Sequence, residues 1–268
     1  MSDEDFTDYQ KLSHDQVLPP ISFQGANFNI VDQAKFKKAL ELIRESLAPA
    51  VQNSIYCADN MITWNKNYSF FRDQYFLDFA NDQTNPLVER SILWRTYVLL
   101  HFAERCMKLE GDFIELGCHT GATAQHMVDQ LNFTIPGKSL YLYDLFEWNE
   151  GDQHTRHAGH ENANMYEDVC ARFESHDFVH VIKGYVPDSF AEEFPEKIAF
   201  AHIDMNQPTP EVGALKFVLP RLVDGGVIVF DDYGWWAYSA QKRFIDPVLE
   251  KAGLSAVELP TGQGLLIK

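Results

Sequence analysis

Three aspartates in the second half of the chain stand at the ends of apolar runs, where a folded sheet gathers the groups that do chemistry. Asp204 lies in His202-Ile-Asp204-Met-Asn206 at the end of IAFAHI, and Asp231 and Asp232 follow GGVIVF. If the two runs are neighbouring strands, about 4.8 Å apart, their terminal carboxylates converge. Three carboxylates crowded together repel, and without a cation one of them stays protonated. A hard divalent ion such as Mg²⁺ takes oxygen ligands, keeps some waters and leaves positions for substrate oxygens. The competing account makes Asp231 and Asp232 an Asx turn or a cap, with Asp204 satisfied elsewhere.

A second constellation lies upstream. Glu115-Leu-Gly117-Cys118-His119-Thr120-Gly121 runs from the strand-like DFIEL straight into a helical stretch. Glycines at such a junction let the backbone approach a ligand and open the helix N-terminus. The spacing is G-x-x-x-G after an acid, and no phosphate-gripping lysine follows, which argues against a Walker A loop and the usual nicotinamide fingerprint. Asp144 ends the next apolar run, SLYLYD. An acid there can take the vicinal hydroxyls of a ribose, or it can simply cap a loop. Together the two strand ends suggest a nucleoside-containing ligand, and the missing phosphate chemistry favours S-adenosylmethionine (SAM) over NAD or ATP. Trp148, Tyr233, Trp235 and Trp236 follow strand ends as well. They could form a platform for an apolar or sugar-like acceptor, or they could be core and interface packing.

The elements that must position these residues are read from pattern. From Asp112 onward, short β-branched runs alternate with helical stretches: DFIEL, SLYLYD, FVHVIK, IAFAHIDM and GGVIVFDD are separated by helices. The chain closes with SAVELP and GLLIK around the turn TGQG. This pattern predicts an α/β fold, a doubly wound, mostly parallel sheet of about seven strands ending in a hairpin. Ligands of such sheets bind beyond the carboxyl ends of the strands. Residues 1–110 read as a helical N-terminal extension and 111–268 as the ligand-binding domain. The extension holds a helix over Asp32–Ala48 capped by Asp32, and a long helix from Pro86 stopped by Gly111.

The 268 residues are 46% hydrophobic and 23% charged, values of a globular chain. Net charge is 22 − 39 = −17, a field that repels phosphate backbones and anionic membranes, so neither nucleic acid nor membrane is an expected partner. Four cysteines without C-x-x-C spacing indicate neither a zinc site nor a disulfide framework. The acidic start and the lack of a long apolar run predict a cytoplasmic protein.

In order along the chain, GDFIELGCHTG, LYDLFEW, IKGYVPDSF, HIDMN, PRLVDGGVIVFDDYG and LPTGQGLLIK resemble the macrocin and mycinamicin sugar O-methyltransferase family (the TylF/MycF type). The likeness runs from Trp94 to the C-terminus, and MITWNKNYSF and WRTYVLLHFAERC suggest that it continues upstream. It implies a class I SAM-dependent methyltransferase that needs Mg²⁺ and methylates a hydroxyl, often on a sugar. It further implies that Glu115, Gly117, Cys118, Thr120 and Gly121 shape the SAM pocket, with Asp204 at its edge. By the same likeness Asp144 takes the ribose hydroxyls, Lys183-Gly184-Tyr185 lies near the adenine, and Asp204, Asp231 and Asp232 hold the metal.

One departure matters. Where the family has a second acid after Asp204, its proposed general base, this chain has Asn206, which cannot take a proton. Replacement bases are His119 and the cluster His154, His157 and His160, which could also be a solvated loop or a second metal site. His202 reads as a satisfied core histidine. The sequence thus predicts a Mg²⁺- and SAM-dependent O-methyltransferase of a small sugar-like acceptor, forming a homo-oligomer, with the N-terminal extension as cover or dimer interface. A SAM-binding module without turnover and a nucleotide-dependent oxidoreductase are the rival readings.

Overall fold

The computed structural model describes residues 21–22, 30–135, 137–150 and 158–268. The chain divides into two compact units, Met1–Trp94 and Arg95–Lys268.

In the first unit, strand β1 (Ile21–Ser22) is followed by helix α1 (Gln33–Ser46), strands β2 (Tyr56–Ala58) and β3 (Met61–Thr63), and helices α2 (Gln74–Asn81) and α3 (Leu87–Ser91). The α1 cap is the one expected: Asp32 accepts from the Lys35 amide at 2.9 Å. β1 runs parallel to β2, and β2 antiparallel to β3. Asp59 and Asn60, both at positive φ, make the two-residue turn between β2 and β3. Tyr56, Phe70, Phe71, Phe76 and Trp94 form an aromatic core, with Tyr56 edge-on to Trp94 at 4.8 Å.

The helix expected from Pro86 to Gly111 is two helices, α3 and α4 (Leu93–Cys106). The Ser91 hydroxyl takes the Val88 carbonyl at 2.7 Å and Ile92 leaves helical geometry at φ −93°, ψ 13°. Most of α4 belongs with the sheet unit, not with the N-terminal extension. Arg95 and Gln263 bond across to Asp231, and the buried Lys138 donates to the Leu109 and Gly111 carbonyls.

The second unit continues as β4 (Asp112–Leu116), α5 (Ala122–Gln130), β5 (Leu140–Asp144), α6 (Met165–Phe173), β6 (Val179–Lys183), β7 (Ile198–Ile203), α7 (Pro208–Arg221), β8 (Leu222–Phe230), α8 (Ser239–Lys251), β9 (Val257–Glu258) and β10 (Gly264–Ile267). Between β6 and β7, where the alternation predicts a helix, the chain makes a single 3-10 turn, Asp188–Ala191. The sheet order is β6-β5-β4-β7-β8-β10-β9. Strands β6, β5, β4, β7 and β8 are parallel; β10 is antiparallel to both β8 and β9, which is the closing hairpin.

Chain order reverses between β4 and β7, and this is where the sheet opens a crevice. Register makes the strand ends level: Leu116 pairs with Ile203 and Ile203 with Phe230. Gly117, Asp204 and Asp231 therefore start their loops in one row. The core beneath is aliphatic and aromatic, with Ile114, Leu116, Ile203, Ile228 and Phe230 sealed from solvent. None of the four cysteines forms a disulfide, and no described helix is long and apolar enough to cross a membrane.

Candidate active site

The glycine turn after β4 is dictated by space. Gly117 has φ +91°, and a Cβ there would lie 2.0 Å from the Asp204 carbonyl oxygen, so only glycine lets this turn pass the end of β7. Gly121, at φ +75°, caps α5 against the Phe173 ring. Between them Cys118 is buried, its thiol pushed well up by burial and so unreactive, and Thr120 is half-buried. Asp144 organises the loops on either side: Oδ2 accepts from the His119 amide at 2.8 Å and Oδ1 from the Phe146 amide at 2.7 Å. Each oxygen keeps a second lone pair that a hydroxyl could use. Turn and carboxylate thus form a cradle suited to a nucleoside.

The remaining residues predicted for this side divide. Gly184 packs on Ser189, whose buried hydroxyl has no partner among the described residues. Tyr185 is exposed, and the exposed Lys183 pairs with Glu147 at 3.1 Å. The His119 ring lies on Gly159, where a Cβ would come within 2.4 Å, and edge-on to His160 at 5.2 Å. His154 and His157 lie outside the described residues. Glu115 is sealed within β4; one carboxylate oxygen meets His202 Nδ1 at 2.9 Å and the other has no partner among the described residues.

Beyond β7 and β8 the carboxyls gather as the strand ends predict. One ligand atom each of His202, Asp204 and Asp231 lie within 4.8 Å of one another. His202 stands in this group in place of Asp232, but not as a free imidazole. Burial disfavours its charge, yet Asp231 and Glu115 outweigh burial and push it up to about 10. An imidazolium donates from both nitrogens and cannot ligate. His202 is the core histidine that the sequence predicts, buried and bonded through Nδ1 to Glu115 at 2.9 Å, with Nε2 3.7 Å from Asp231 Oδ1, so that it links β4 and the end of β8 as an ionic contact.

Burial also works against the charge on Asp231, but Arg95, His202 and Gln263 hold its carboxyl below the usual range. Asp232, buried beside Asp231, is pushed up to about 8, and its Oδ2 has no partner among the described residues. Burial, Asp231 and Asp232 raise Asp204 well above a normal carboxyl. Asn206, at φ +57°, donates its amide to Asp204 Oδ1 at 3.3 Å.

These residues fit a hard divalent cation. The donors are carboxylate oxygens, and two carboxyls are held from ionising by burial and by their acidic neighbours, which a divalent ion would offset. Asp204 and Asp231, whose ligand atoms lie within 4.8 Å of each other, would hold the ion, with Asp231 shared with Arg95.

Four contributors carry no sequence signal of their own: Arg95 within α4, Gln263 in the hairpin turn, and Glu211 with Gln241. Glu211, on α7, accepts the Met205 and Gln207 amides and Gln241 Nε2 at 2.7 Å. Of the expected acceptor platform, Tyr233 is buried with its hydroxyl between Asp246 and Lys242. Trp235 carries Arg95 on its face at 5.4 Å, Trp148 is half-buried and Trp236 is almost fully exposed.

Sheet order, level strand ends and a glycine turn beside strand-end acids define the Rossmann-like fold of the class I methyltransferases. In agreement, the family model described as a methyltransferase domain matches residues 114–233. Among solved structures, the O-methyltransferase NovP is 17% identical with a TM-score of 0.54, over 65% of this chain and 79% of NovP. CalS11, a TDP-rhamnose 3'-O-methyltransferase of calicheamicin biosynthesis, is 16% identical with a TM-score of 0.53, over 89% of this chain and 95% of CalS11. The methyltransferase PaMTH1 of Podospora anserina, solved with S-adenosylhomocysteine (SAH), is 11% identical with a TM-score of 0.50, over 94% of this chain and 98% of its own. At these identities the likeness is one of fold. No curated protein matches the sequence.

Proposed function

We propose that this chain is a SAM-dependent O-methyltransferase acting on a hydroxyl of a sugar or sugar-bearing molecule, with a divalent cation such as Mg²⁺ at its carboxyl cluster. The observation that carries the reading is the row formed by Gly117, Asp204 and Asp231, which sets a nucleoside cradle beside a cation-hungry cluster. The descriptions of NovP and CalS11 as O-methyltransferases, one of a nucleotide sugar, support the acceptor class.

Gly117, Gly121 and Asp144 would hold SAM, the source of the methyl group. A cation held by Asp204 and Asp231 would lower the pKa of an acceptor hydroxyl, as it does for water. The chain itself supplies position and charge. The Asn206 amide can orient a hydroxyl but accepts no proton. Attack on a sulfonium methyl needs alignment rather than a covalent intermediate, and the sulfonium charge suits an acidic site.

Calorimetry with SAH, NAD⁺ and ATP tests the cradle, and methyl transfer from labelled SAM to TDP-rhamnose and to neutral sugars tests the acceptor. SAH should bind while NAD⁺ and ATP do not, and transfer should stop with EDTA and return with Mg²⁺. Binding of NAD⁺ but not SAH would overturn the reading. Asn206 favours a second one, a SAM-binding module without turnover, for which SAH binding with no transfer to any acceptor would speak.

A further inference from the structure

Arg95 enters the carboxyl cluster from α4. Its Nη1 donates to Asp231 Oδ2, and both side chains are only 12% exposed. The guanidinium also lies over the Trp235 ring, 5.4 Å from its centre. Gln263 Nε2 bonds the Arg95 carbonyl at 3.4 Å and Asp231 Oδ1 at 3.3 Å, and Thr261 holds the Gln263 side-chain oxygen at 3.0 Å. Trp235 is seated on the same turn: a Cβ on Gly262 would fall 2.2 Å from its Nε1, and the Gly234 amide bonds the Gly262 carbonyl at 2.7 Å. The C-terminal hairpin turn thus fixes Asp231, Trp235 and Arg95 as one assembly.

We propose that Arg95 is the resident counter-cation of this cluster and shares Asp231 with the divalent ion, so that it sets how tightly the ion is held. The inference rests on the cation site proposed above and goes beyond it by naming the residue that tunes it. A guanidinium stays charged at every physiological pH, and its planar fork matches a carboxylate. In a buried site salt screens little, so guanidinium and ion repel across Asp231. Asp231 is therefore the weakened ligand, and Asp204, with its ligand atom within 4.8 Å of that of Asp231, takes the larger share of the ion. As it draws on Asp231, the guanidinium shifts on the face of Trp235. The aromatic face supports the displaced cation, which makes the exchange reversible.

The test is a Mg²⁺ titration of the full-length protein by calorimetry and tryptophan fluorescence, for the parent, Arg95→Gln, Arg95→Lys and Trp235→Phe. Arg95→Gln should bind Mg²⁺ at least about tenfold more tightly, or about 1.4 kcal/mol. Arg95→Lys, which keeps the charge but not the fork, should fall between. Mg²⁺ should change the fluorescence of the parent, and Trp235→Phe should lose that change. Mg²⁺ binding by the parent, tightened in Arg95→Gln, with the fluorescence change confined to proteins that keep Trp235, supports the proposal, and a parent that binds no Mg²⁺ overturns it. It falls if Arg95→Gln binds no more tightly than the parent, if neither binds, or if the fluorescence response survives Trp235→Phe. SAH calorimetry on the same samples separates the two readings. SAH binding with unchanged Mg²⁺ affinity removes only the role of Arg95, whereas a parent that binds no SAH removes the methyltransferase reading. Should Arg95→Gln fail to fold, a Mg²⁺ affinity of Arg95→Lys no higher than that of the parent overturns the proposal.

Discussion

The carboxyl of Glu211 is 2% exposed and gathers three donors, the amides of Met205 and Gln207 and the side chain of Gln241. Through the two amides it grips the loop on both sides of Asn206. Burial, reinforced by Asp204, nevertheless pushes it from 4.5 up to about 8. Between those two values the folded chain therefore holds a proton at Glu211 that the unfolded chain has already released. Stability from this group is complete below about pH 4.5 and is lost as pH rises toward 8. Glu211→Gln keeps the shape and one acceptor oxygen but cannot ionise. In chelated buffer it should be less stable than the parent at low pH, by about 1 kcal/mol for the lost acceptor. The deficit should shrink or reverse toward pH 8. Thermal unfolding of both proteins across this range measures it, and a difference that does not change with pH would contradict the burial argument.

At the scale of elements, the site depends on how closely β4 and β7 end together. Gly117 combines a positive φ with a backbone oxygen only 2.0 Å from where a Cβ would stand, and backbone cannot turn aside as a side chain can. Gly117→Ala should therefore cost at least about 2–3 kcal/mol, the scale of combined strain and overpacking, and should weaken SAH binding in whatever fraction folds. Urea unfolding gives the first quantity and calorimetry the second; a variant as stable as the parent would mean the two turns can separate. This junction was legible in the sequence, because an acid and two glycines between strand and helix patterns leave few other geometries. So were the parallel strands, from their β-branched runs, the closing hairpin, from TGQG, and the placing of Asp204, Asp231 and Asp232 at strand ends. The break at Ile92 was not, since one serine hydroxyl bonding back to Val88 decides it against a helical pattern. Nor were Arg95, Glu211 and Gln263, whose chemistry comes from tertiary register. Arg95 meets a partner 136 positions away, and no local spacing encodes that. His202 is the core histidine that its apolar strand predicts, but its charge was not legible, because the acids that raise it, Asp231 at the end of β8 and Glu115 on β4, reach it only through strand pairing.

For the whole molecule the governing quantity is charge. A net −17 surrounds a site in which burial and the neighbouring Asp231 already make Asp204 and Asp232 resist ionising. SAM carries a sulfonium charge that SAH lacks, so the protein should favour SAM, and the preference should have two parts. One is the long-range field of the surface acids, screened as the Debye length falls from about 30 Å at 0.01 M salt to about 3 Å at 1 M. The other is the buried cluster, which salt reaches poorly. Calorimetric titrations with SAM and SAH across this salt range should show the ratio of their dissociation constants shrinking by about threefold to tenfold and then levelling above unity. Asp232→Asn should leave the salt-dependent part intact, because one charge among many surface acids hardly alters the distant field. It should lower the level reached at high salt, since the neutral amide removes a carboxyl whose ionisation a cationic ligand would favour. A ratio indifferent to salt would show that the surface acids play no part in selecting the cofactor. A high-salt level unchanged by Asp232→Asn would place the sulfonium away from the carboxyl cluster, and methyl transfer beside those aspartates would have to be abandoned.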